Sequence, residues 1–455
     1  EVPMGRKEQR KAAKKEKNSL IEACRIQRKY IPDLFDLFEA TCDPRNKAYI
    51  TYPSRVMLGQ MYFKGIAGLQ SMQSMTEEFN DKQVSMNLSR LMGGEKLKML
   101  PHHVTENEYL ERLNPQEVQG IIQKIVYRMV RRKTFSDARF RKKWLIIVDG
   151  TQLYSGGRRI NECCLETRHN KGTEEETVQY HQNVLEAKIY LGDGILCSIM
   201  SEFIENSPEE QEKWRSMSEE KIKQDCETKA FRRLAERLKA AFPKLPIILM
   251  GDSLYASESF LRICEEKGWD YLIRFKSGSI PGIAEEYEAL RQHEMFGKGK
   301  ESGRTGEAEF INEIDYNGRP VNVVRFRERK IVRKKETVTE FQWLTSLKVN
   351  VKNVEKVASR GRLRWKIENQ GFNRQKHWSG DITHACSWDR NALKNHYLLM
   401  QISDFVRQLY EYFFLAKNEI KRTQKNISST LLRDFGERLT GEDIFNAGLH
   451  AAFIP

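Results

Sequence analysis

Two aspartates each follow a short apolar run that reads as a buried strand. Asp149 comes after residues 145–148 (Leu-Ile-Ile-Val) and Asp252 after residues 247–250 (Ile-Ile-Leu-Met), with Gly251 between. A carboxylate at the polar end of a buried strand is held rigidly beside the sheet. Two or three such groups make a patch of oxygen donors suited to Mg2+. Two such ions about 3.5–4 Å apart can clamp the attacking and leaving oxygens of a phosphodiester. One carboxylate must then bridge both ions, and the central strand gives that role to Asp149. A third acid is needed downstream. Glu368 is the best candidate, in Gly361-Arg-Leu-Arg-Trp-Lys-Ile-Glu-Asn-Gln-Gly-Phe-Asn-Arg-Gln-Lys376. On a helix Arg364, Glu368 and Phe372 share one face. An arginine one turn before the glutamate can orient it or hold a phosphate through paired hydrogen bonds. The plainer alternatives are an i,i+4 surface ion pair for Arg364 and Glu368, and a capping role for Asp252 at Ser253-Leu254-Tyr255.

The surrounding pattern says what must position these groups. Strand patterns over 144–148, 183–191 and 195–203 are followed by a helix over 218–241, the strand over 247–250, a helix over 257–267 closed by Gly268, and a strand over 269–275. Gly192-Asp193-Gly194 is a hairpin turn between the second and third strands. Three strands, helix, strand, helix, strand is the order of the ribonuclease H fold. The expected class is therefore α/β, with a mixed five-stranded sheet flanked by helices. Residues 276–342 are rich in glycine, and 307–314 and 320–330 alternate like strands, so this stretch reads as a β-rich insertion. Core periodicity returns over 341–349, and helices are expected over 353–378 and 391–416. Upstream, residues 18–140 read as a helical domain, with Ile121, Ile122, Ile125, Val126, Met129 and Val130 on one apolar face. The expected organisation is a basic arm over 1–17, a helical DNA-binding domain over 18–140, a core over 141–275 and 343–415, the insertion over 276–342, and an accessory tail over 416–455.

Charge bears on the partner. The 455 residues carry 77 Lys and Arg against 63 Asp and Glu, a net +14. With 39% apolar residues the chain is a folded one, and its basic excess points to a polyanion, nucleic acid first. No run approaches 18 apolar residues, so no membrane span is expected, and no secretory signal is visible behind the lysine-rich start. Residues 1–17 hold seven basic residues against three glutamates, and residues 325–335 hold seven against Glu328 alone. Each reads as a DNA-tracking segment or as a solvated charged face. The eight cysteines are scattered, as in a reduced intracellular chain. Cys163 and Cys164 with His169 and His181 have zinc-type donors, at a spacing that matches no standard zinc pattern. No G-x4-GK[ST] loop occurs, which disfavours an ATP-driven motor.

Five pieces then carry a resemblance: Val148-Asp-Gly-Thr-Gln152, Glu202-Phe-Ile-Glu-Asn206, Lys223-Gln-Asp-Cys-Glu227, Gly251-Asp-Ser-Leu-Tyr255 and Arg364-Trp-Lys-Ile-Glu-Asn369. Over about residues 140–410 the chain resembles the DDE transposases of bacterial insertion sequences, ribonuclease H-fold enzymes with a β-rich insertion before the catalytic glutamate. The resemblance implies that Asp149, Asp252 and Glu368 are a catalytic, metal-binding triad for two Mg2+ ions, with Mn2+ as a substitute. It implies cleavage of double-stranded DNA at the element's ends and transfer of the 3′-OH into target DNA. It also implies a homodimer or larger assembly on DNA in the bacterial cytoplasm, at the nucleoid. Arg364 and Lys376 would hold phosphates, while Arg274, Lys276, Arg325, Arg327, Arg329 and Arg333 would track the backbone. Glu202, Asp225 and Glu227 would support the site or lie on the surface, and Trp365, His377 and Trp378 would stack on bases or pack. One branch of the family has the signature Tyr-x2-Arg-x3-Glu-x6-Lys. Arg364 and Glu368 fit it, whereas Gly361 and Gln375 stand at the Tyr and Lys positions. The competing readings are a structure-specific nuclease or resolvase on the same fold, and a transposase-derived DNA-binding protein without chemistry.

Overall fold

The strand that carries Asp149 has different neighbours on its two edges. In the computed structural model, which describes residues 18–94, 96–217, 222–293, 297–298, 306–332, 335–384 and 386–447, β1 spans Trp144–Gly156. One edge of β1 pairs antiparallel with β3 (Thr177–Tyr190), from Ile146↔Ile189 to Gly156↔Tyr180. The other edge pairs parallel with β5 (Ile247–Met250), but only from Trp144↔Ile247 to Ile147↔Met250. The expected end of the strand after Val148 is thus a change of partner: β1 runs on through Asp149 along β3 after β5 has stopped. Leu145–Val148 and β5 are buried on both faces, which is why both runs are continuously apolar.

β4 (Leu196–Ile204) pairs with β3, and β6 (Asp270–Phe275) pairs parallel with β5. The core order is β4-β3-β1-β5-β6, three antiparallel strands followed by parallel ones, which is the ribonuclease H-like order expected from the sequence. A short strand that the pattern did not mark, β2 (Leu165–His169), takes β3's outer edge beyond β4. Its residues are mostly solvent-facing, so it carries no apolar signal. Beyond β6 the sheet continues through β10 (Lys335–Thr345), β9 (Arg319–Val332), β8 (Gly306–Tyr316) and β7 (Gly297–Lys298). The glycine-rich stretch after β6 therefore extends the core sheet, since β10 docks antiparallel on β6 from Gln342↔Phe275 to Thr345↔Leu272.

Helices cover both faces. Near the N-terminus α1 spans Ser19–Tyr30, α2 Ser54–Ala67 and α3 Pro115–Met129, the last burying Ile121, Ile122, Ile125, Val126 and Met129. On one face of the sheet α4 (Glu227–Ala241) lays Ala230, Phe231, Leu234, Ala235 and Leu238. α5 (Glu258–Lys267) follows β5, with Ser257 capping its start and Gly268 its end. In the stretch before β7, α6 spans Pro281–Gln292. On the opposite face α9 (Arg390–Tyr410) is buried nearly all round, because the sheet lies on one side and the N-terminal helices on the other. Glu186 on β3 accepts from Tyr397 at 2.9 Å, while Ser403 donates to the Tyr62 carbonyl on α2 at 3.0 Å. The final helices close on the same bundle, with Ser19 N donating to Asp434 at 2.6 Å.

The helix expected over 353–378 is helical but not uniform. α7 (Val354–Gly361) tightens to a 3-10 turn over Arg362–Trp365, widens to a π-helix over Ile367–Phe372, and resumes as α8 (Asn373–His377). Such π segments re-aim side chains and recur at functional sites. This one carries Glu368.

Candidate active site

Each acid is aimed by the element beneath it. Asp149 lies where β5 has ended, so its β5-side edge is open. Its partner across β3 is Glu186, whose carboxylate meets α9, so Asp149 also faces α9. Asp252 follows β5 by one glycine, and its Oδ1 accepts from Leu254 N at 2.8 Å, capping the turn over Ser253–Tyr255. The capping alternative holds, and it orients the carboxylate. Glu368 comes from the α9 side, on a π-helix pinned by the buried Ile367 and Phe372. Arg364 lies between them: its Nη1 is 3.2 Å from Asp149 Oδ2, and its Nη2 is 4.0 Å from Glu368 Oε2.

A further acid arrives from the other face. Gly150 points opposite to Asp149, towards α4. A Cβ there would sit 2.5 Å from Glu227 Oε2, so the absent side chain is the room that Glu227 uses. The Tyr255 hydroxyl donates to Glu227 Oε1 at 2.5 Å. Burial is the largest influence on the Asp149 carboxyl. Arg364 pulls its pKa down while Glu227, Asp252 and Glu368 push it up, and it ends at about 6. Burial also raises Glu227, partly offset by the Tyr255 hydrogen bond. The acids of three separate segments are therefore felt at one point on β1.

This has a consequence for the metal-free protein. Asp149 binds its proton more tightly folded than unfolded, where a carboxyl titrates near ~3.9. Its contribution to stability is full below that value and is lost as pH rises through about 6. Relative to an Asp149→Asn variant, wild type should lose stability between pH 4 and pH 6.5 in urea melts; stability curves that run parallel over this window would contradict the assignment.

The donor set suits a hard divalent ion, being all carboxylate oxygen. Among the described residues no three acidic, histidine or cysteine side chains converge tightly enough to enclose an ion as they stand. The Arg364 guanidinium bridges Asp149 and Glu368 instead.

Beside the acids lies a cleft of about 430 Å³ bounded by Asp252, Arg274, Lys276, Arg362, Arg364 and Trp365. Its wall is a stack: Phe341 and Trp343 lie nearly parallel at 5.9 Å, and Arg274 and Arg362 each sit 5.0 Å from the Phe341 ring centre. The departures from the family signature have a structural account here. A Cβ on Gly361 would meet the Trp343 indole at 2.5 Å, so Trp343 fills the room a larger residue would need. Gln375 is fully buried and donates to Gln401 at 2.9 Å and to Asp404 at 3.1 Å, so a charged side chain there would be an uncompensated buried cation unless it paired with Asp404. Lys376 is half-buried on α8, and Trp365 and Trp378 are exposed.

The remaining basic candidates divide. Arg325 is 9% exposed and ion-pairs with Glu288, Glu309 and Glu340, so its charge is committed to the fold rather than displayed along a DNA-tracking strand. Arg327 pairs with Glu340 at 3.1 Å, and Arg329 pairs with Glu307 at 3.5 Å. Arg333 and the arm over 1–17 lie outside the described residues. Glu202 and Asp225 are buried in ion pairs with Arg233 and Arg237, which leaves Glu227 as the acid of that trio at the site. Cys163 and Cys164 are buried, while His169 hydrogen-bonds Gln179, and His181 bonds Gln152 and Thr167. No zinc-type group forms there among the described residues.

Strand order, sheet-end acids and the helix-borne glutamate define a ribonuclease H-like protein. Residues 224–402 match the family model described as a transposase DDE domain, so this part of the chain is similar to the DDE transposases. The match contains Asp252 and Glu368; Asp149 lies upstream of it. No curated protein matches the chain. Among the described residues no helix is long and apolar enough to cross a membrane.

Proposed function

We propose that the protein cuts double-stranded DNA at the ends of a mobile element and joins the freed 3′-OH to target DNA, with Asp149, Asp252 and Glu368 as its Mg2+ ligands. The observation that carries this reading is the electrostatic convergence on Asp149, whose carboxyl feels Asp252 and Glu368 although they lie 103 and 219 residues downstream (252 − 149 and 368 − 149). Two bound Mg2+ ions would supply an activated oxygen nucleophile and stabilise the leaving 3′-oxygen. Asp149, whose carboxyl feels both Asp252 and Glu368, would be the carboxylate shared by the two ions. Arg364 reaches this point from the 3-10 turn just before the π-helix and can pass its guanidinium to an incoming phosphate, which would free Asp149 and Glu368 for cations. Arg274, Lys276 and Arg362 line the adjoining cleft and would hold the DNA strand beside the scissile bond. Bringing two ends together asks for at least two copies on DNA.

The test uses a supercoiled plasmid carrying the DNA that flanks the coding sequence, and a pre-cut end with a free 3′-OH. Mg2+- or Mn2+-dependent nicking at the flanks together with joining of the pre-cut end is the expected result. Cutting without joining would turn the assignment to a nuclease of the same fold. Neither activity, with DNA still bound, would make it a binding protein.

A further inference from the structure

Resting on that reading, we infer that Glu227 is a fourth carboxylate of the catalytic site, a ligand to the cation held by Asp149 and Asp252, fixed in place by the Tyr255 hydroxyl. Glu368 approaches Asp149 from the α9 face, whereas Glu227 approaches from the α4 face, so the two acids flank the aspartates on opposite sides of the sheet.

The strand ends are shaped around this glutamate. Each catalytic aspartate has a glycine next to it in sequence, Gly150 after Asp149 and Gly251 before Asp252. A Cβ on Gly150 would lie 2.5 Å from Glu227 Oε2, and a Cβ on Gly251 would lie 2.6 Å from the Tyr255 ring. The Glu227–Tyr255 pair thus occupies the space that both glycines leave open. Tyr255 engages Oε1 only, and Oε2 is the oxygen turned to the strand end.

Charge makes the same point. Asp225, two residues earlier, is neutralised by Arg233 at 2.6 Å, and Asp149 by Arg364 at 3.2 Å. Among the described residues no lysine or arginine ion-pairs with Glu227. It is half-buried, lies against Gly150 next to Asp149, and feels Asp252, and its place in the first turn of α4 supplies only the modest help of a helix dipole. A half-buried acid set against two others lacks a cation, and a divalent ion supplies it.

The test is Mn2+ binding to the full chain, read from the free-Mn2+ electron paramagnetic resonance signal, with folding checked by circular dichroism. Glu227→Gln should weaken binding by about 10–100-fold, and Tyr255→Phe should weaken it less, in the same direction. If Glu227→Gln binds Mn2+ as wild type does while Asp149→Asn loses it, Glu227 is no ligand and the site reading stands. If Asp149→Asn also binds as wild type does, the catalytic site itself is misassigned. Should Glu227→Gln not fold, Glu227→Asp, one methylene shorter, takes its place: unchanged affinity would overturn the inference, and weakened affinity would support it.

Discussion

Asp149→Asn should lower metal-dependent DNA cleavage by on the order of 10³-fold or more while leaving the fold intact. The substitution keeps the shape of the side chain and its place on β1, and removes a charge that feels both Asp252 and Glu368. On the proposed function Asp149 would be shared by both cations and Glu368 would serve only one, so the effect should exceed that of Glu368→Gln, whose side chain is 58% exposed. The substitution also removes a buried acid held near Arg364, so the metal-free variant should be no less stable than wild type near neutral pH. Nicking rates in Mg2+ and in Mn2+, with melting curves of the same preparations, check both parts. A variant that keeps more than a tenth of the wild-type rate would remove Asp149 from the site.

Arg374→Met should cost about 3–5 kcal/mol of stability. Arg374 is buried on α8 between Asp404 on α9 and Glu411 just beyond it, at 2.5 Å from each. Its guanidinium is held well above its ordinary pKa by these two acids, and both acids are held below theirs by Arg374. Methionine fills much of the volume but leaves the buried Asp404 and the partly buried Glu411 without their cation. Neutralising one of them in turn, as Arg374→Met with Asp404→Asn, should recover part of the loss, since the penalty lies in the uncompensated charge rather than in the missing contact. Urea unfolding of the single and double variants measures this. Because α8 directly follows the π-helix bearing Glu368, cleavage by Arg374→Met should also fall at temperatures where the protein is still folded. A loss of less than 1 kcal/mol would show that the acids rely on other partners, such as Gln375, Ser379 and Gln408, which already donate to Asp404.

The parts legible in the residues were those set by local physics. Continuous apolar runs over 145–148 and 247–250 are strands because both faces are covered, and an acid follows each closely, although β1 runs on through Asp149 instead of ending there. The helix–strand order after Lys143 determines the sheet order, because crossover connections leave few alternatives. Periodicity also marked the buried faces of α3 and α4.

What the residues did not disclose was set by partners distant in sequence. Arg325, Arg327 and Arg329 read as a basic strand, yet Glu288, Glu307, Glu309 and Glu340 on neighbouring elements take up their charge. Glu227 and Glu202 look alike as isolated acids. Only the sheet turns Glu202 to two arginines and sets Glu227 against Gly150. Gly361 breaks the signature in sequence and is explained in space by Trp343, which fills the room. The sequence alone determined that Asp149 and Asp252 follow buried strand segments, because a continuous apolar run dictates its own burial, but not where β1 ends. The tertiary structure decided which further charges reach them, because an electrostatic partner is chosen by distance through space, and β3, α4 and the π-helix bring those distances about.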